Sequence, residues 1–154
     1  MPQALVDKIK KAAAFNQGYA LTELLAAADL DIQWHKLTTD DPLQDVDKYE
    51  KEALHKTNLD LPEVPTRYRS SYFLHIWSNG YAAGYYAYLW TEMLDDDAFQ
   101  WFEEHGGLTR ENGQKFRDMI LSRGNTLDLD KMFQDFRGHA PDINPMLRNR
   151  GLVN

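Results

Sequence analysis

The residues best equipped to do chemistry lie in the run Phe73-Leu74-His75-Ile76-Trp77-Ser78-Asn79-Gly80-Tyr81-Ala82-Ala83-Gly84-Tyr85-Tyr86-Ala87-Tyr88-Leu89-Trp90. Tyr81, Tyr85 and Tyr88 follow one another at i, i+4 and i+7, a spacing that places side chains on one face of a helix. Three phenol hydroxyls in a row, preceded by His75 and a turn containing Gly80, can donate hydrogen bonds to a carbonyl oxygen that is acquiring negative charge. That is what a peptide-bond hydrolase needs. The same spacing equally suits core aromatics whose hydroxyls reach the surface, and a single histidine such as His75 is often a satisfied core group. Gly84 falls in the first turn of the stripe, where glycine costs about 1 kcal/mol against alanine. Close approach of another backbone would account for it.

Other chemistries find little support. The histidines are His35, His55, His75, His105 and His139, no two within three to five residues of each other, and there is no cysteine. No His-Glu-x-x-His pair exists to hold a zinc ion and activate water, which leaves only a site assembled from distant residues. No metal is therefore expected on this chain alone. The acidic runs Asp40-Asp41 and Asp95-Asp96-Asp97 read as solvated groups at helix starts, favoured there by the helix dipole. Neither a nucleophile elbow, nor a phosphate-binding loop, nor a dinucleotide fingerprint is present. The net charge of −7 disfavours a nucleic-acid partner.

The elements that must position these residues read as helices. At 154 residues the chain suits one domain, residues 1–154, and no apolar run approaches the ~20 residues that span a bilayer. Helical patterns run from Leu5 to Phe15 and from about Tyr19 to His35, broken at Asn16-Gln17-Gly18. Asp41-Pro42 reads as the start of a helix reaching Lys56, and Pro62 and Pro65 mark a connector. A helix over Tyr81–Leu94 follows, then a short one from Asp95–Asp97 that ends at His105-Gly106-Gly107. Thr109 caps a helix to Arg123. Asn125 or Thr126 caps another, whose Leu129, Met132, Phe133 and Phe136 form one stripe and which Gly138 ends. Asn144-Pro145 opens a last turn. The fold class expected is all-α.

The run from His75 to Trp90 resembles the peptidyl-dipeptidase branch of the thimet oligopeptidase family of zinc metallopeptidases. So do Phe15-Asn16-Gln17-Gly18-Tyr19, Arg67-Tyr68-Arg69-Ser70-Ser71-Tyr72-Phe73, Gly106-Gly107-Leu108-Thr109-Arg110-Glu111-Asn112-Gly113 and Leu121-Ser122-Arg123-Gly124-Asn125. The resemblance covers essentially the whole chain. It implies a multi-helix, C-terminal part of a zincin-type oligopeptidase, from which the zinc-binding helices are absent. It also implies a catalytic role for His75 and Tyr88 in stabilising the tetrahedral intermediate, and substrate contacts for Tyr81, Tyr85 and Gly80.

Two departures qualify what the resemblance implies. The family's glycine-rich loop is reduced here to Trp77-Ser78-Asn79-Gly80, with one glycine, so it should be stiffer. The zinc motif lies upstream of the matched region, so zinc belongs to the complete family enzyme. The expected function is that of a fragment or truncated homologue of a cytoplasmic peptidyl-dipeptidase, which releases dipeptides from peptide C-termini. It would supply contacts to an oligopeptide substrate and be inactive by itself. The expected partners are the missing N-terminal peptidase part or a second copy. The alternative is a non-catalytic helical module that binds a peptide or protein.

Overall fold

The computed structural model describes residues 1–78 and 80–153. These residues are helices and turns. Apart from an isolated bridge between Leu61 and Val64, no β-structure occurs among them, so the fold is all-α, as the sequence implies. No helix among the described residues is long and apolar enough to cross a membrane. The chain divides into two compact units, Met1–Trp90 and Thr91–Asn154.

In the first unit, α1 (Gln3–Ala13) buries none of its residues, and Leu5 and Ile9 stay exposed. Asn16 takes a left-handed conformation, φ +56, which asparagine tolerates better than most residues, and α2 (Gln17–His35) starts directly after it. The small residues Ala26, Ala27 and Ala28 let neighbours close onto α2. Phe73, Ile76 and Tyr85 pack on Ala27 and Ala28, while Ala53 and Leu54 of α3 pack on Ala26 and Leu30.

Helix α3 (Val46–Lys56) is capped by Asp45, whose carboxylate accepts from the Lys48 amide at 2.9 Å. The expected start at Asp41-Pro42 is corrected by this. Asp41 instead closes a turn by accepting from the Thr38 amide and hydroxyl at 2.8 and 3.0 Å, and these bonds hold its pKa below the ordinary value. A 3-10 turn (Ser70–Tyr72) leads to α4 (Leu74–Ser78).

Helix α5 (Ala87–Glu104) is continuous, so the expected pair of helices meeting at Asp95–Asp97 is one helix, and its start is six residues later than Tyr81 would place it. In the second unit, Ala98, Trp101 and Phe102 of α5 pack with Phe136. Gly106 and Gly107, both at φ +89, end α5 as the sequence indicates. Thr109 caps α6 (Arg110–Phe116) through the Asn112 amide, and a π-turn (Arg117–Leu121) continues it. The cap of α7 (Leu129–Arg137) is Asp128, accepting from the Lys131 amide at 2.8 Å, and not Asn125 or Thr126. Gly138 ends α7 at φ +91. The last helix, α8 (Asn144–Asn149), carries Pro145 in its first turn, where the missing amide is harmless.

Candidate substrate-binding site

Tyr81 and Tyr85 do not lie on a helix. Residues 80–86 are consecutive turns, and only Tyr88 falls in the first turn of α5. The Gly84 amide donates to the Tyr81 carbonyl at 2.8 Å, and the Ala87 amide to the Gly84 carbonyl at 3.0 Å. The left-handed residue of this segment is Ala83, at φ +54. Gly84 is needed neither for its conformation nor for close approach: an added Cβ would meet only ordinary contacts with Tyr81, at 3.6 Å and beyond.

The turns nevertheless gather the three phenols. The Tyr81 and Tyr88 rings stack 5.2 Å apart at 14°, and Tyr85 meets Tyr88 edge-on at 5.0 Å. The His75 ring, half-buried on α4, stands 6.1 Å from Tyr81, 5.6 Å from Tyr85 and 5.0 Å from Tyr68. Its neighbours are thus mainly aromatic. Tyr81 and Tyr88 are 36% and 40% exposed, whereas Tyr85 is 3% exposed within the cluster of Phe73 and Ile76. Gly80 is exposed, with open space where a side chain would stand. Asn79 lies outside the described residues, and with it the expectation of a stiffer loop.

The electrostatics separate the phenols further. A hydrogen bond with Tyr81 holds the Tyr88 phenol above its ordinary pKa. Burial, with a smaller push from Tyr68, raises Tyr85 to about 12. Both remain protonated donors through neutral and mildly alkaline pH.

Three residues that hold this surface escape a reading by motif. Asp31 of α2 is fully buried, and its carboxylate accepts from the Ala83 amide at 2.9 Å and the Tyr85 amide at 2.8 Å. Ser70 is a hub. It accepts the Trp34 indole N–H at 2.8 Å on its hydroxyl and that of Trp77 at 2.7 Å on its carbonyl, and it donates its own amide and hydroxyl to buried Glu50 at 2.6 and 2.8 Å. Glu50 also pairs with Arg69. The available signal was a carboxylate on an apolar helix face: Asp31 follows Ala27 and Ala28 by one turn, and Glu50 precedes Ala53 and Leu54. Such a group must be paired when buried.

Three further histidines each have a partner of their own. His35 Nδ1 lies 2.8 Å from Asp31 Oδ1, His105 stacks on Trp101 at 4.2 Å, and His139 Nδ1 meets the Ala140 carbonyl. Among the described residues no three imidazoles or carboxylates come together to hold a metal ion. These residues do not fit a zinc site.

Fold and site define an all-α protein with a turn-built surface of two phenols beside an imidazole. Residues 1–152 match peptidase family M3, and the chain belongs to that family. It is 59% identical over 152 residues to the dipeptidyl carboxypeptidase of Escherichia coli (strain K12), covering 99% of this chain and 22% of that protein. It is equally similar to the dipeptidyl carboxypeptidase of Salmonella typhimurium, with the same coverage. The probable cytosolic oligopeptidase A of Arabidopsis thaliana is 34% identical over 157 residues, or 99% of this chain and 22% of that protein. The chain thus spans about a fifth of the length of these curated relatives.

Proposed function

We propose that this chain supplies the substrate-contacting wall of a cytoplasmic peptidyl-dipeptidase that removes dipeptides from the C-termini of oligopeptides. In this reading the Tyr88 phenol donates to the oxyanion that develops on the scissile carbonyl, and His75 is a second polar contact. Tyr81 and the open backbone at Gly80 contact the substrate, with Tyr85 supporting the pair from behind. Zinc, which activates water in the complete enzymes of this family, is held by residues outside this chain. Both units belong to one catalytic region. The rest of the peptidase, or failing that a second copy, covers surfaces such as the exposed Leu5 and Ile9 of α1.

The observation that carries the reading is the stacked, hydrogen-bonded pair Tyr81–Tyr88, half-exposed and protonated at working pH. The stacked rings fix where the Tyr88 hydroxyl stands, and its proton, which rests on the Tyr81 oxygen, turns to the carbonyl oxygen as charge develops there, so the donor gains most of its effect in the transition state.

The test is a chimera in which this chain replaces the matching segment of the E. coli enzyme. Tyr88→Phe keeps the ring and its packing. Turnover should fall about 10²–10³-fold with a smaller change in KM, because the contact forms chiefly in the transition state. Wild-type turnover in Tyr88→Phe would remove Tyr88 from the site, and that is the outcome a non-catalytic binding module predicts.

A further inference from the structure

The turn that carries the phenols has no local reason to hold its shape. Alanine is the best helix former, yet Ala83 sits at φ +54, a conformation that costs an L-residue energy. The constraint comes from α2. Asp31 accepts from the Ala83 amide through Oδ1 at 2.9 Å and from the Tyr85 amide through Oδ2 at 2.8 Å. Converging amides of a tight turn form a small anion-binding concavity, filled here by a carboxylate of the protein itself. Nδ1 of His35 stands 2.8 Å from the Asp31 carbonyl, to which it is hydrogen-bonded, and 2.8 Å from Oδ1; both neighbours are acceptors, which matches a proton on that nitrogen. Two amide donors, with the imidazole beside them, compensate a charge that would be costly to bury alone.

We infer that Asp31 is the positioning residue of the phenol pair, fixing the turn through the amides of Ala83 and Tyr85 and so setting where the Tyr88 hydroxyl stands. The inference rests on the reading of Tyr88 as a substrate-facing donor. The route is short. The Tyr88 amide donates to the carbonyl of anchored Tyr85 at 3.3 Å, and Tyr81 is tied to Gly84, between the two anchored residues, at 2.8 Å. A misplacement of about 1 Å in a catalytic contact can cost about 10²-fold in rate.

Asp31→Asn keeps the side chain's size, removes its charge and turns an N–H towards an amide donor. In the chain itself, hydrogen exchange at the Ala83 and Tyr85 amides should accelerate about tenfold or more, while the amides of α3 stay protected. In the chimera, Asp31→Asn should lower kcat about 10²-fold with less change in KM. In a Tyr88→Phe background it should lower kcat further by no more than about twofold, since effects that act through one group do not multiply. Two reductions that multiply in full would mark a role in general stability and overturn the proposal, as would unchanged exchange at the two amides.

Should Asp31→Asn fail to fold, His35→Ala takes its place, leaving both amide bonds and removing the imidazole beside the carboxylate. A severalfold loss of kcat that disappears in Tyr88→Phe supports the proposal, and a loss that persists overturns it. A silent Tyr88→Phe removes the donor reading and the positioning role with it, while amide exchange still reports separately whether Asp31 holds the turn.

Discussion

Each unit buries one aspartate completely, and the two carboxylates are compensated by different means. Asp31 in the first unit is met by two backbone amides and an imidazole. Asp97 in the second is met by the Arg137 guanidinium at 2.6 Å and the Asp142 amide at 2.9 Å. Arg137 extends the pairing to Glu104 with two more bonds, at 2.7 and 3.0 Å. Burial works to lower the Arg137 pKa, but the bonds to Glu104 and Asp97 outweigh it and leave the value raised. A carboxylate held by amides gives shape to a turn. One held by a guanidinium locks two helices, here α5 and α7. The same residue type therefore organises a surface in one unit and a core in the other.

Removing the guanidinium should be the most damaging change. Arg137→Met leaves Asp97 buried without its cation and should cost about 3–5 kcal/mol of stability, read as a lowered urea midpoint by circular dichroism. A loss below about 1 kcal/mol would mean that Asp97 does not depend on its arginine, and the contrast between the units would fail.

Glu104 tests the outer part of the same pairing. Its hydrogen bonds to Arg137 hold its pKa below the ordinary value against the opposing effect of burial. A depressed carboxylate stabilises the fold above its unfolded pKa, about 4.3, and that contribution is lost as pH falls through the lower folded value. Glu104→Gln should therefore lower stability near neutral pH by about 0.5–1 kcal/mol, a small figure because the side chain is 40% exposed and screened. Thermal unfolding of the variant and the parent should converge in strong acid. A gap that persists there would assign the effect to packing.

The smallest effect expected is at Ala83. Glycine removes the steric cost of φ +54 but brings greater freedom to the unfolded chain, so Ala83→Gly should stabilise by about 1 kcal/mol or less. Destabilisation by that variant would show that the Ala83 methyl group contributes packing that outweighs its strained conformation.

Helix ends were legible wherever the signal was local. Gly106-Gly107, Thr109, Gly138 and Asn144-Pro145 each act within one turn of where they stand. The phenol segment was misread because its i, i+4, i+7 spacing imitates a helix, and Ala82 and Ala83 add helix propensity. What overrides both is a carboxylate 52 positions away. Asp97 was misread in the same way. In a run of three aspartates it looks like a solvated cap, and its partner Arg137 is 40 positions away. Asp45 and Asp128 were overlooked as caps because Asp41-Pro42 and Asn125-Thr126 offered similar chemistry a few residues earlier. The phenols and His75 were found because aromatic type and order survive an error in backbone shape. Asp31, whose role depends on a distant turn, was not.

Ser70 has a further consequence, an optical one. It suspends two indoles, Trp34 from its hydroxyl and Trp77 from its carbonyl, and holds their rings 5.6 Å apart at 73°. Transition dipoles so close and so inclined exchange excitation and acquire rotational strength that neither chromophore has alone. The near-ultraviolet circular dichroism of this protein should therefore carry a signature of that pair. Because Trp77 lies two residues beyond His75, the signature is a built-in gauge of the backbone beside the phenols, readable without any label.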